Sequence, residues 1–519
     1  MTTGTLLHDL LDHRAAATPD ATGLTWDGRS WSYAQLASRS AATARWLSRL
    51  GVSRGDRVVV IARNNADLVP LIFGISRLGA IFVLLSDQIR ARHLEHIVAD
   101  TGPAVVIVKR HGAASACSLA GIQVRDLDDL RHALARPAQA DPVRGADPDP
   151  PSCLSIDPVS LIYTSGSTAF PKGVVSTHQQ VLFATEAIQS RLEYRPEDAV
   201  FCCLPLSFDY GLYQIFLTCA AGARLVLGDD SDAGPALLGR LAAEDISVLP
   251  LIPSLAATFC RLVGRAGQPP GRLRMITNTG AELTTAACAQ LRSAVPGIAV
   301  TAMFGLTECK RISIAEPNLD LTRPGSVGRP LPDTEVAVVG EDGRPLPPDE
   351  VGELIVRGPH VMAGYWRAPE LTAARFRRDA IGQPVLYTGD LCRIDKDGYL
   401  YFVGRNDDVY KQHGRRVSTT EIEAAAMDVP GVELAAALPP DRGHGSRLGV
   451  TGELTVRRLV SELLGRLEPE QMPAECRVLP ALPLTINGKI DKRALAGQWA
   501  AYPPDAAPAT AWVPAGARS

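Results

Sequence analysis

Between residues 32 and 108, short apolar runs alternate with helical patterns, and this alternation restricts the folds open to the chain. Ser32 suits an N-cap for a helix whose apolar positions run to Leu50, with Gly51 closing it. Val58–Ile61 then reads as a buried strand. Asp67 suits the cap of a second helix ending near Leu78 and Gly79, and Pro70 is tolerated in its first turn. Ile81–Leu85 and Ala104–Val108 are further strands. Strands alternating with helices point to a parallel, doubly wound sheet.

A chain of 519 residues is too long for one compact core, so two or more domains are expected. A hydrophobic content of 46% and a charged content of 21% are ordinary for a globular enzyme. The net charge of −3 gives no reason to expect nucleic acid or an anionic membrane as partner. No N-terminal segment joins a basic start to an apolar core, and no apolar run reaches roughly 18 residues. Neither a signal peptide nor a membrane span is expected, and the expected location is cytoplasmic. The ten cysteines are scattered without metal-ligand spacing, which fits reduced thiols.

Residues 136–152 are rich in Pro, Asp and Ala and read as an exposed connector. Strand–helix alternation resumes to about residue 320. A β-rich stretch follows, including Glu335–Val339 and Glu353–Val356. From about Asp407 the pattern becomes a small α/β unit. The expected architecture is a large N-terminal domain (1–406) with doubly wound, mostly parallel sheets and a β-rich subdomain. A small mobile α/β domain (407–497) and a disordered tail (498–519) complete it.

Residues 161–175 carry the strongest chemical signal. The apolar run Leu161-Ile162-Tyr163 enters a hydroxyl-rich loop, Thr164-Ser165-Gly166-Ser167-Thr168, followed by Pro171, Lys172 and Gly173. Glycine lets backbone N–H groups turn toward an anion, and the hydroxyls and the lysine add donors. Such a loop suits phosphate oxygens, but it lacks the Gly-Lys-Ser/Thr helix start of a Walker loop. A Ser/Gly-rich turn without a ligand is the plain alternative.

The loop resembles the phosphate-binding signature of adenylate-forming enzymes: acyl-CoA ligases, aryl ligases, luciferases and nonribosomal-peptide adenylation domains. Ala169 stands where that signature has a second glycine. Further segments match in order. Phe304-Gly305-Leu306-Thr307-Glu308 resembles the second signature, which implies an aromatic face for adenine, a hydroxyl for the α-phosphate and a carboxylate for Mg²⁺. Gly280-Ala281-Glu282 resembles the turn that lines adenine. Tyr387-Thr388-Gly389-Asp390 resembles the segment whose aspartate takes the ribose hydroxyls, and Arg405 the arginine beside it. Asp397-Gly398 is a hairpin signal between those two. Asp407 falls at the hinge position, and Lys411, Gly414 and Arg416 resemble the segment that approaches an acceptor thiol. Pro483–Lys492 resembles the C-terminal signature, with Lys489 as the lysine that bridges substrate carboxylate and ATP.

The resemblance implies an AMP-forming acid–thiol ligase that uses ATP and Mg²⁺, with Thr307, Glu308 and Lys489 as catalytic residues and Glu308 as metal ligand. A carboxylic acid becomes an acyl-adenylate and then passes to a thiol. Phe208-Asp209, where many CoA ligases carry a histidine, resembles amino-acid adenylation domains, whose aspartate pairs with the substrate amino group. Asp209 as a helix cap is the plain alternative. An inward Arg311 would hold a second anionic group, and Tyr213 is placed with these pocket residues; a surface ion pair is the alternative for Arg311. The expected substrate is an amino acid or amino-bearing acid, and the expected acceptor is the phosphopantetheine thiol of a carrier protein supplied in trans. A CoA ligase and a non-catalytic nucleotide-binding homologue are the alternatives.

Overall fold

The computed structural model describes residues 5–109, 121–135, 153–164, 170–406, 408–412, 415–441, 444–485 and 489–501. Two large sheets dominate. One runs, in spatial order, through Gly364–Tyr365, Lys172–Thr177, Pro158–Thr164, Ile81–Leu85, Arg57–Ile61, Val105–Val108 and Val124–Asp126. The other contains nine strands among the described residues, with Met275–Asn278, Val248–Leu251, Ala199–Cys202 and Arg224–Leu227 at its parallel centre.

The apolar runs are nearly continuous because each strand faces a core on both sides. Val58, Val60 and Phe82 join the largest core cluster, which lies between the two sheets, while Val59, Ile61, Ile81 and Val83 pack under the Ala91–Thr101 helix. Val200 and Cys202 point into the same intersheet core, whereas Ala199 and Phe201 face the Pro253–Ala266 helix. The Leu68–Arg77 helix lies within that core, and its residues are buried from Leu68 to Ser76.

Local signals explain most boundaries. Ser32 caps the Tyr33–Arg49 helix through a full capping box with Gln35. Asp67 sits at the N-cap of Leu68–Arg77 but makes no cap bond. Its carboxylate instead receives Arg39 at 2.9 Å and Arg131 at 2.5 Å. Two guanidinium partners outcompete a backbone N–H. The 136–152 connector lies outside the described residues.

The β-rich part is an antiparallel sheet of Glu335–Val339, Gly352–Arg357, Pro384–Ile394 and Phe376–Arg378, with Leu400–Arg405 paired to the long strand. Beyond it lies the small α/β unit. Its Val432–Leu438, Arg447–Gly452 and Glu475–Val478 strands separate two small cores, with Ala435 and Ala437 on one face and Ala436 and Leu438 on the other. Trp499 is 2% exposed and packs with Leu495 and Leu482, so packed structure runs past the expected end at residue 497. Residues 502–519 are not described.

Candidate active site

A cavity of about 790 Å³ opens over the C-terminal ends of Met275–Asn278 and Ala299–Phe304 and continues to the small C-terminal unit. Ligands of open α/β sheets bind at this end of the strands because loops of independent sequence converge there. Gly280, Ala281, Glu282, Phe304, Thr307 and Glu308 line it, and so do Thr164, Lys172, Asp390, Arg405 and Lys489. Residues spread over more than 300 positions of sequence therefore share one wall. Ser165, Gly166, Ser167, Thr168, Ala169, Asp407 and Gly414 lie outside the described residues. Lys411 and Arg416 are register partners in a two-stranded ribbon.

Thr164 and Lys172 are register partners, so the phosphate-type loop connects two antiparallel strands. Lys172 begins a strand, which separates this loop from the Walker arrangement. Its ammonium donates to the Tyr365 hydroxyl at 2.9 Å and lies 3.7 Å from Glu308 Oε1. The Tyr365 hydroxyl donates in turn to Glu308 Oε1 at 2.7 Å. Burial pulls the Lys172 ammonium below the usual lysine value, and Glu308 opposes that shift.

Asp390 and Arg405 face each other across the hairpin that Asp397 and Gly398 turn. Their closest N···O separation is 3.5 Å. Asp390 is almost wholly buried, and its Oδ1 has no hydrogen-bond partner among the described residues. Burial raises its carboxyl to about 6, against the pull of Arg405 and Arg375. An acceptor held in this state is set up to receive hydroxyl donors.

Phe304 packs at a tilt against Phe402, with 5.4 Å between ring centroids. Lys489 reaches in from the C-terminal unit. Its ammonium lies 5.4 Å from the Phe208 ring centroid and is drawn below the usual lysine value by burial. Solvent still reaches part of the side chain through the open cleft. Within the C-terminal unit, Lys492 holds Glu423 at 2.9 Å and Asp408 at 3.4 Å.

Phe208 lines the cavity, and a charged pair that does not itself line it lies behind that ring. Asp209 opens the Asp209–Ala221 helix but makes no cap bond. Its Oδ2 lies 3.5 Å from Nη1 of Arg311, and both side chains are 5% exposed. Arg311 also donates to the Lys310 carbonyl at 2.7 Å, while its Nε is buried without a partner among the described residues. Tyr213 is buried nearby, its hydroxyl unpartnered among the described residues. Arg311 is thus neither at the surface nor free.

Sequence reasoning missed Tyr365, Arg375 and Lys310. Arg375 lines the cavity and bonds the Tyr387 carbonyl at 3.1 Å. Lys310 is 1% exposed, takes a left-handed φ of 60° and donates to the Thr307 carbonyl at 3.1 Å. A left-handed backbone at a lysine costs roughly 1 kcal/mol or more, and the surrounding packing must hold it there. Burial lowers the ammonium to about 8, with Asp209 and Glu308 opposing. Its place two residues after Glu308 was the available signal.

Residues 11–366 match the model of the AMP-binding enzyme family. The chain belongs to that family. It is an adenylate-forming enzyme, an AMP-forming ligase, and ATP is the nucleotide of its class. It is similar to phenyloxazoline synthase MbtB of Mycobacterium sp. (strain MCS), with 30% identity over 95% of this chain and 42% of that protein. AMB antimetabolite synthetase AmbB of Pseudomonas aeruginosa is 32% identical over 94% of this chain and 39% of its own length. The chain thus spans less than half the length of these curated relatives. Among solved structures, VinN in complex with L-aspartate is 40% identical, with a TM-score of 0.70 over 77% of this chain and 98% of that one. No described helix is long and apolar enough to cross a membrane. The described cysteines are free thiols.

Proposed function

We propose that this chain activates an amino dicarboxylic acid as its acyl-adenylate and delivers the acyl group to a phosphopantetheine thiol on a carrier protein. The observation that carries the reading is the buried Asp209–Arg311 pair behind Phe208. An aspartate there receives an ammonium. An arginine with an unused N–H receives a second carboxylate while the first reacts. The similarity to a VinN structure holding L-aspartate supports the same class.

The substrate carboxylate is already a nucleophile, so the protein's work is alignment and charge neutralisation. In this reading Lys489 holds the reacting carboxylate near the α-phosphorus, Phe304 faces adenine, and Asp390 and Arg405 take the ribose. Gly280, Ala281 and Glu282 close the adenine wall, and Thr307 with the Thr164–Thr168 loop and Lys172 hold phosphate oxygens. The hard carboxylate of Glu308, beside a phosphate-binding lysine, fits Mg²⁺, which takes one or two carboxylates plus phosphate oxygens. When bound, the ion neutralises charge that develops on the phosphates. Attack of the carboxylate oxygen on the α-phosphorus releases pyrophosphate. The small domain (407–497) then turns about Asp407, and a thiol displaces AMP.

Pyrophosphate exchange across a panel of acids tests the reading. Amino dicarboxylic acids are expected to exchange at least tenfold faster than neutral amino acids or simple fatty acids, and Lys489→Ala is expected to abolish release. Full activity in Lys489→Ala refutes the mechanism. Thioester formation with free CoA but not with a carrier protein overturns the acceptor.

A further inference from the structure

Lys172 and Glu308 carry opposite charges, stand 3.7 Å apart in a largely buried setting, and yet do not close into a direct hydrogen-bonded pair. The Tyr365 hydroxyl stands between them. It accepts from Lys172 at 2.9 Å and donates to Glu308 Oε1 at 2.7 Å, so both its roles are filled. Every described contact of the Glu308 carboxylate falls on that one oxygen.

The tyrosine is held firmly. Tyr365 pairs with Val174 in the strand that Lys172 begins, and its N–H donates to Thr372 Oγ1 at 3.0 Å. The Met362 N–H donates to the Glu308 carbonyl at 2.8 Å, which ties the same segment to the Glu308 backbone. The ring lies edge-on to Phe376 at 5.6 Å and is 5% exposed.

We propose that Tyr365 is a positioning residue for the nucleotide's divalent cation: it fixes one oxygen of Glu308, presents the other, and keeps the Lys172 ammonium from collapsing onto the carboxylate. This deepens the proposed function and rests on Glu308 as the metal ligand. Without the hydroxyl, Lys172 closes on Glu308, and any cation must then compete with an ammonium for the same carboxylate. Lys172 would also be drawn away from the phosphates.

The test is calorimetric titration of ATP into the full chain at several Mg²⁺ concentrations, without acid substrate. Tyr365→Phe keeps the ring and its contact with Phe376. It is expected to raise the half-saturating Mg²⁺ concentration about 10- to 100-fold, the worth of one hydrogen bond to a charged group. ATP affinity at saturating Mg²⁺ is expected to stay within about threefold, and thermal unfolding to remain close to that of the parent. In a Glu308→Gln background the same change is expected to add nothing, because its effect passes through that carboxylate. An unchanged Mg²⁺ requirement, or an additive effect in the Glu308→Gln background, overturns the proposal. Should Tyr365→Phe lose cooperative unfolding, Tyr365→Met, of similar volume and also without a hydroxyl, is read by the same criteria. A parent chain that binds ATP without any Mg²⁺ dependence refutes the metal assignment itself, which separates the two failures.

Discussion

Asp209 and Arg311, 102 positions apart in the chain, meet as a buried ion pair with 3.5 Å between Oδ2 and Nη1. The contact is long for a charge-assisted hydrogen bond, and the guanidinium also serves the Lys310 carbonyl. A buried pair held this loosely is poorly compensated by itself, and an incoming ammonium and carboxylate would complete it.

Removing one member should therefore cost more than removing both. Asp209→Ala leaves the buried Arg311 without its carboxylate partner, and is expected to lower stability by about 3 kcal/mol. The Asp209→Ala/Arg311→Met double variant is expected to recover at least half of that loss. Guanidinium unfolding of the three chains decides it. Additive losses would show that the two charges do not act on each other.

Asp390 gives a pH signature. Its folded value of about 6 lies above the ordinary aspartate value of 3.8, so folding carries a cost above pH 6 that fades as pH falls toward 4. The gap is worth roughly 3 kcal/mol. Ribose hydroxyls donate only to the ionised carboxylate with full strength, so the affinity for adenosine, which has no phosphate titrating in this range, is expected to fall at least fivefold from pH 7 to pH 5. The charged groups around it are Arg405, Arg375, Glu308 and Asp408, and Asp390→Asn should remove the inflection near pH 6. A wild-type affinity flat over that range contradicts the assignment.

What the sequence disclosed was mostly local. The Ser32 cap, the Val58–Ile61 strand and the Asp397-Gly398 turn each depend on a few neighbouring residues, and each stands as expected. That turn also brings Asp390 opposite Arg405, so part of the site is a consequence of short-range chemistry. The Asp209–Arg311 contact is different, because nothing near either residue announces the other. Asp67 shows the same limit, since its arginines come from positions 39 and 131. Tyr365 lies 57 residues from Glu308 and 193 from Lys172, and only the fold joins them.

Lys310 supplies a stability test with the opposite sign. Burial lowers its folded value to about 8 from 10.5, so the charged form carries a cost below pH 8 that disappears as pH rises to 10.5. Asp209 and Glu308 oppose the shift, and Arg311 adds to it. Lys310→Met is expected to be more stable than the parent by about 1–3 kcal/mol at pH 7, with the gain gone near pH 10. Denaturant unfolding at the two pH values measures it. A variant less stable than the parent at pH 7 would mean that the bond to the Thr307 carbonyl outweighs the burial cost.

Gly280 tests how closely the C-terminal lysine is seated. The residue has φ of 92°, where a side chain is strained, and a Cβ built there would stand 3.3 Å from Lys489 Cε. Gly280→Ala thus combines a backbone penalty of about 1 kcal/mol with pressure on the lysine. The flexible lysine can retreat, so the fold should survive with a modest drop in melting temperature. Its ammonium would then sit farther from the reacting carboxylate. The expected result is a kcat for pyrophosphate release reduced about 10- to 100-fold, with little change in ATP affinity, because misplacement by even an ångström is costly in an aligned reaction. Equal losses in ATP affinity and in kcat would instead place the damage in the adenine wall proposed for Gly280, Ala281 and Glu282.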